Sequence, residues 1–286
     1  MESIALFGKG GGGKSTIAAN LSILYAKSGL RVLHVGCDPK RDSTLRLLGR
    51  RARTSIADMA FPADPLGAIE RSSDGIDCVE TGGPTPGLGC AGRGIIMAME
   101  HFERKRLLED GRYDVAVFDV LGDLVCGGFA APLRHGFVRK VAVVVSDEPM
   151  SLFAANNLAR MVRTYAGSGA AFAGLIGNCR YDDGKARGVL EDFAARLKTR
   201  LLAHFGAEPL VREAERALQT VSRFAPQAPV SKEFARLAKT LRGLDPAALP
   251  LPEPLEDAAL DIFLQAGPAA PARAPRRTLR AKRARS

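Results

Sequence analysis

Residues 8–15 read GKGGGGKS; they follow a short apolar run, SIALFG (3–8), and open a helical pattern, KSTIAANLSILYAKSG (14–29). A string of the form GxxxxGK[ST] between a strand and a helix dictates a local geometry in which bare backbone N–H groups and a helix N-terminus surround an anion. Gly8, Gly10, Gly11, Gly12 and Gly13 then supply the turn that wraps phosphate oxygens. Lys14 reaches the outer phosphates, the Ser15 hydroxyl is placed to ligate Mg²⁺, and Thr16 follows in the same binding segment.

The rest of the chain agrees with that opening. RVLHVGC (31–37), YDVAVFDVLG (113–122), KVAVVVS (140–146) and FAGLIGN (172–178) read as further buried strands. Helical patterns lie between and after them at 93–109, 151–168 and 186–206. Strict alternation of this kind predicts an α/β fold of the P-loop NTPase type, a mostly parallel sheet with helices on both faces. No internal boundary divides residues 1–243, which are expected to form a single domain.

The chain has 286 residues, 46% of them hydrophobic, enough for a full core. Its longest apolar runs are far shorter than the roughly 20 residues of a membrane span, and no signal-peptide pattern is visible, so a cytoplasmic protein without membrane contact is expected. The net charge of +10 is unevenly placed: seven of those charges fall in Gly267–Ser286, which contains no acidic residue. That segment ends a Pro/Ala/Arg-rich stretch, 244–286, expected to be a flexible basic tail in which only LEDAALDIFLQ (255–265) could form a helix, so nucleic-acid binding is not expected of the body. Five cysteines without a CxxC pair speak against a disulfide framework and leave core, redox or metal-ligand roles.

Several residues fall where chemistry would need them. Asp38, Lys40 and Asp42, in GCDPKRDST, lie just beyond the second strand, where carboxylates can reach a γ-phosphate, its Mg²⁺ or an attacking water. Asp119 ends another strand as a candidate Mg²⁺ carboxylate. Lys9 sits on the near side of the glycine turn, from which its ammonium cannot easily fold back onto the phosphates of its own loop. Its stem is long enough to reach the phosphates of a facing copy, and KGGxGK[ST] resembles the loop of ATPases that act as face-to-face dimers. Cys90, in GGPTPGLGCAGRG, and Cys126, in GDLVCGGFAAP, are each set among glycines that leave a thiolate open to approach. Two cysteines cannot complete a Cys₄ iron–sulfur site, but two copies of the chain can, with one [4Fe-4S] cluster on the two-fold axis of the dimer that Lys9 calls for. Cys37, Cys78 and Cys179 lack this setting and are expected in the core.

GKGGGGKST, GCDPKRDST, GGPTPGLGCAGRG, DVLGDLVCGGFAAP, AANN and GLIGNCR, in that order, resemble the iron protein of nitrogenase and its relatives in nitrogenase-like reductases. The resemblance implies a homodimer that binds MgATP at both loops, carries one [4Fe-4S] cluster, is reduced by a ferredoxin or flavodoxin, and passes low-potential electrons to a separate catalytic component. It further implies that Lys9 acts in trans, that Asp38 positions or deprotonates the attacking water, and that Lys40 and Asp42 belong to a first nucleotide switch. Asp119 to Cys126 would form the second switch, Asn178 would lie at adenine, and Arg93 would mark the docking face.

Some positions depart from the nitrogenase pattern. Gly12 replaces a usual isoleucine, Arg41 replaces a small residue, and CGGFAAPLRH is closer to the protochlorophyllide reductase donor. The expected partner is therefore a nitrogenase-like reductase, with methylthioalkane reductase (C–S cleavage) placed first, ahead of the (proto)chlorophyllide reductases and true nitrogenase. The reading from another class, a metal-free partitioning or cargo-positioning ATPase, leaves Cys90 and Cys126 without a use.

Overall fold

The computed structural model describes residues 1–59, 65–84, 91–109, 111–122, 127–181 and 184–266. Among them eight strands, β1 (Glu2–Phe7), β2 (Val32–Cys37), β3 (Glu70–Arg71), β4 (Asp77–Glu80), β5 (Val115–Val120), β6 (Lys140–Val145), β7 (Ala171–Asn178) and β8 (Leu201–Phe205), form one sheet. Their order is β3-β4-β2-β5-β1-β6-β7-β8, and every pairing is parallel except β3 with β4. The helices are α1 (Lys14–Lys27), α2 (Leu45–Leu48), α3 (Ala91–Arg104), α4 (Ala131–Arg134), α5 (Pro149–Thr164), α6 (Ala186–Arg196), α7 (Pro209–Arg216), α8 (Val221–Phe224), α9 (Pro229–Gly243) and α10 (Asp257–Ala266). This is a P-loop NTPase-type fold, and no helix of the described residues is long and apolar enough to cross a membrane.

The central strands read as near-continuous apolar runs because both faces of the sheet are covered. Along β1, Ile4 and Leu6 enter the core beneath α1, α7, α8 and α9, whereas Ala5 and Phe7 enter the core beneath α3, α4, α5, α6 and α10. β1 lies between β5 and β6, and the chain leaves its carboxyl end for α1. The loops after β1, β2, β5 and β7 consequently meet at one edge, the place where open α/β sheets bind ligands.

Three features differ from the sequence expectations. The helical pattern at 186–206 is two elements: α6 stops at Arg196, Lys198 adopts a left-handed φ of 55°, and residues 201–205 add β8 to the edge of β7. The 93–109 pattern begins at Ala91 and ends at Arg104, with Arg106 left-handed at φ 48°. The third concerns 244–266, expected to be part of a flexible tail, which docks on the body instead. Asn156 of α5 donates from Nδ2 to the Leu255 carbonyl (2.9 Å) and accepts the Leu255 N–H (2.8 Å), Arg160 bonds Leu255 O and Asp257, and Glu253 N–H bonds the Leu197 carbonyl. Leu260 and Phe263 of α10 are buried, the latter against Phe193 at 5.4 Å between ring centroids. The basic run 267–286 lies outside the described residues.

Candidate functional site

The glycine loop forms the floor of a cleft of about 550 Å³ whose lining includes Gly10, Gly11, Gly13, Lys14, Ser15 and Thr16. Gly13 caps α1 at φ 91°, and a Cβ there would overlap the Asn178 amide, so glycine is required on both grounds. The Asn178 Nδ2 donates to the Gly12 carbonyl at 2.7 Å, and Arg180 donates to the Gly11 carbonyl at 3.2 Å. Lys14 is buried and curls over the loop, its ammonium 3.0 Å from the Lys9 carbonyl, which also accepts the Gly12 N–H. A lysine folded over a ring of backbone amides at a helix N-terminus is the donor set a polyphosphate takes.

Lys9 points elsewhere. Its ammonium lies 3.9 Å from Glu148 Oε2 at the start of α5, with both side chains well exposed. Thr16 also turns away from the loop, donating to Glu215 Oε1 at 2.5 Å, where Arg46 pairs with the same carboxylate at 2.8 Å.

Asp38, Lys40 and Asp42 line the cleft from the loop after β2. Asp38 Oδ1 accepts the Lys40 N–H at 2.8 Å, a local turn that fixes the loop's exit, and the Lys40 ammonium stands 3.8 Å from Asp38 Oδ2. Asp119, at the end of β5, is buried and accepts the Ser43 hydroxyl at 2.6 Å and that of Ser15. Burial pushes its carboxyl up, opposed by those two hydrogen bonds and by the Lys14 charge. A buried carboxylate beside a hydroxyl at the phosphate end of the cleft is the oxygen donor set that suits Mg²⁺.

Glu80, which the sequence reading passed over, is fully buried at the end of β4. Register places Glu80 beside Gly36, and Gly36 beside Asp119, so the two carboxylates flank a glycine across three strands. Glu80 Oε1 accepts both the N–H (2.8 Å) and the hydroxyl (2.7 Å) of Thr44, tying the loop after β2 to β4. Burial raises its pKa to about 7, the Thr44 bonds opposing and the charges of Asp119 and Asp42 adding to the rise. Ser43 and His34 were also missed. Their only sequence signals were a serine within GCDPKRDST and a histidine in an otherwise apolar strand.

Cys90 and Cys126 lie outside the described residues, but the segments that follow them do not. Gly92, two residues after Cys90, and Gly128, two residues after Cys126, meet backbone against backbone, and a Cβ on Gly128 would overlap Gly92. Arg93, in the first turn of α3, is exposed. Cys37, Cys78 and Cys179 are buried, and burial raises the first two thiols well above the usual range, in keeping with their expected place in the core.

Residues 2–267 match the family described as 4Fe-4S iron sulfur cluster binding proteins, NifH/frxC family. The chain is 40% identical over 268 residues to nitrogenase iron protein 2 of Methanothermobacter thermautotrophicus, a match that spans 93% of this chain and 98% of that protein. Among solved structures, the cell division ATPase MinD of Pyrococcus furiosus aligns with a TM-score of 0.66 at 22% identity, over 85% of this chain and 99% of MinD. The ParA family ATPase of Chlorobium tepidum aligns with a TM-score of 0.64 at 20% identity, over 83% of this chain and 98% of the ATPase. At these identities the two structures speak to the fold alone.

Proposed function

The chain belongs to the NifH/frxC family of 4Fe-4S iron–sulfur cluster binding proteins, and from that premise we propose that it is the ATP-dependent electron-donating component of a nitrogenase-like reductase. In this reading two copies face each other around one [4Fe-4S] cluster, held by Cys90 and Cys126 of each. The cluster supplies low-potential one-electron chemistry. The observation that supports the proposal is the backbone contact of Gly92 with Gly128, which follow Cys90 and Cys126 in the sequence by two positions each.

Several residues of the cleft then have a task. Backbone amides of residues 10–13 and the α1 N-terminus bind the phosphates of ATP, and the Lys14 ammonium moves from the Lys9 carbonyl onto them. Ser15 and Asp119 would hold Mg²⁺, Asp38 would position or deprotonate the attacking water, and Asn178 would lie at the adenine end. Lys9 faces away from its own cleft and serves the phosphates of the facing copy. Lys40 and Asp42 carry the first switch. The second switch runs without interruption from Asp119 to Cys126, so the state of the nucleotide and the setting of a cysteine share one short segment.

The partner we assign is a separate catalytic component that docks at the Arg93 face, with methylthioalkane reductase as first choice. Its support is the mixed pattern of nitrogenase-like CAGRG and the protochlorophyllide-donor-like CGGFAAPLRH. Anaerobic purification tests the core of the proposal. Near four irons and four sulfides per dimer, with an EPR signal after dithionite reduction that changes on adding MgATP, is the expected result. A folded, iron-free ATPase would instead favour the metal-free partitioning reading. Reconstitution with candidate catalytic components, scored by substrate turnover, tests the choice of partner.

A further inference from the structure

His34 is fully buried in β2 and takes no part in the roles above, yet it sits within a closed circuit of polar side chains. Ser22 Oγ lies 2.9 Å from its Nδ1, and Ser43 Oγ lies 2.8 Å from its Nε2. Ser43 donates its single proton to Asp119 Oδ2, and Asp119 bonds Ser15. Ser15 and Ser22, seven residues apart, occupy the same face of α1, so the circuit Ser15–Asp119–Ser43–His34–Ser22 begins and ends on one helix.

The direction of every bond follows from proton counting. Ser43 has spent its proton on the carboxylate and can only accept from the ring, so Nε2 carries the hydrogen. Nδ1 is then bare and accepts from Ser22. Burial favours this neutral ring, lowering its pKa to about 3. With an aliphatic residue at position 34, the Ser43 oxygen would lose the donor that fixes it, and its hydroxyl would be held by Asp119 alone.

We propose that His34 is a positioning residue for the Mg²⁺ site: through Ser43 it holds the Asp119 carboxylate in the orientation that accepts the cation, and it fastens the first switch loop to the helix that follows the phosphate loop. This inference rests on the assignment of Asp119 to Mg²⁺. Partners one step removed from a metal ligand, as Ser43 is, commonly change metal affinity 10- to 100-fold when lost, and His34, one bond further out, is placed at the lower end of that range.

The test measures binding rather than turnover, using ADP titrated into the full-length protein with excess EDTA and then at a series of Mg²⁺ concentrations. His34→Leu is expected to weaken the apparent Mg²⁺ affinity of the ADP complex about tenfold while leaving ADP binding in EDTA unchanged. His34→Gln, whose amide N–H can still reach Ser43, is expected to recover most of the loss. His34→Leu combined with Ser43→Ala should be no worse than Ser43→Ala alone, because both changes cut the same path. Ser22→Ala, which frees the ring tautomer, should give a smaller loss of the same kind and serves as the test if His34→Leu does not fold. Wild-type Mg²⁺ affinity in His34→Leu, or additive losses in the double variant, would overturn the role of His34 alone. A wild-type protein whose ADP binding ignores Mg²⁺, or an Asp119→Asn variant that keeps its Mg²⁺ dependence, would overturn the Mg²⁺ site itself, and His34 with it.

Discussion

Gly92 and Gly128 press their backbones together with no room for a side chain between them, although 35 positions of sequence separate them. Each lies two residues past a cysteine in the sequence, which ties this contact to the proposed cluster site. Gly128→Ala should force them apart. The expected outcome is an iron content well below that of the wild type after anaerobic purification, with nucleotide binding intact; full iron loading would show that the close approach is not needed.

Cys90→Ser and Cys126→Ser should each abolish the cluster while leaving the fold and ATP binding in place. Iron and sulfide analysis together with the visible absorbance decide this. A broad iron–sulfur band that persists in either variant would remove that cysteine from the ligand set.

Lys9 pairs loosely with Glu148 outside its own cleft. An exposed pair of this kind contributes less than about 1 kcal/mol, so Lys9→Ala should hardly change the stability of the single chain. Its expected effect is on the dimer: ATP-driven closure, followed by small-angle scattering, should fail while ADP still binds. Normal ATP-coupled electron transfer in this variant would contradict a role across the dimer.

Glu80 gives a pH signature with a definite sign. Its folded pKa is raised from 4.5 to about 7, so between those values the folded state holds a proton that the unfolded state has lost. Its contribution to stability is complete below about pH 4.5 and is lost as pH rises through 7. Glu80→Gln keeps an oxygen to accept from Thr44 but cannot ionise. The fall in urea midpoint between pH 5 and pH 8 should be smaller in this variant than in the wild type, and an equal fall would show that Glu80 does not titrate there.

Asn156→Ala removes two of the three hydrogen bonds that hold Leu255, leaving its carbonyl to Arg160 and its N–H unpaired. A loss of about 1–3 kcal/mol is expected from the unpaired N–H. Limited proteolysis should then cut before α10 in the variant at a protease concentration that spares the wild type; equal resistance would mean that Phe263 and Leu260 suffice to hold the segment.

Features carried by neighbouring residues, or by runs buried on both faces, were legible in the sequence alone. The loop from Gly8 to Ser15 is one contiguous turn, and β1, β2, β5, β6 and β7 are mainly apolar because helices cover both sides of the sheet. Family membership was equally legible, since its motifs are long local strings. The tertiary structure decided whatever depends on contacts between distant segments. The helical period of 186–206 could not show that Leu201–Phe205 would find the free edge of β7. The proline-rich composition of 244–266 gave no sign of the Asn156 clasp or of the Phe193 ring that anchors Phe263. His34, Ser43 and Glu80 are unremarkable in one dimension; the parallel register of β4, β2 and β5 sets them around Asp119. Local geometry follows from consecutive residues, whereas the burial and pairing of polar groups arise only when the sheet brings strands from distant parts of the chain into contact.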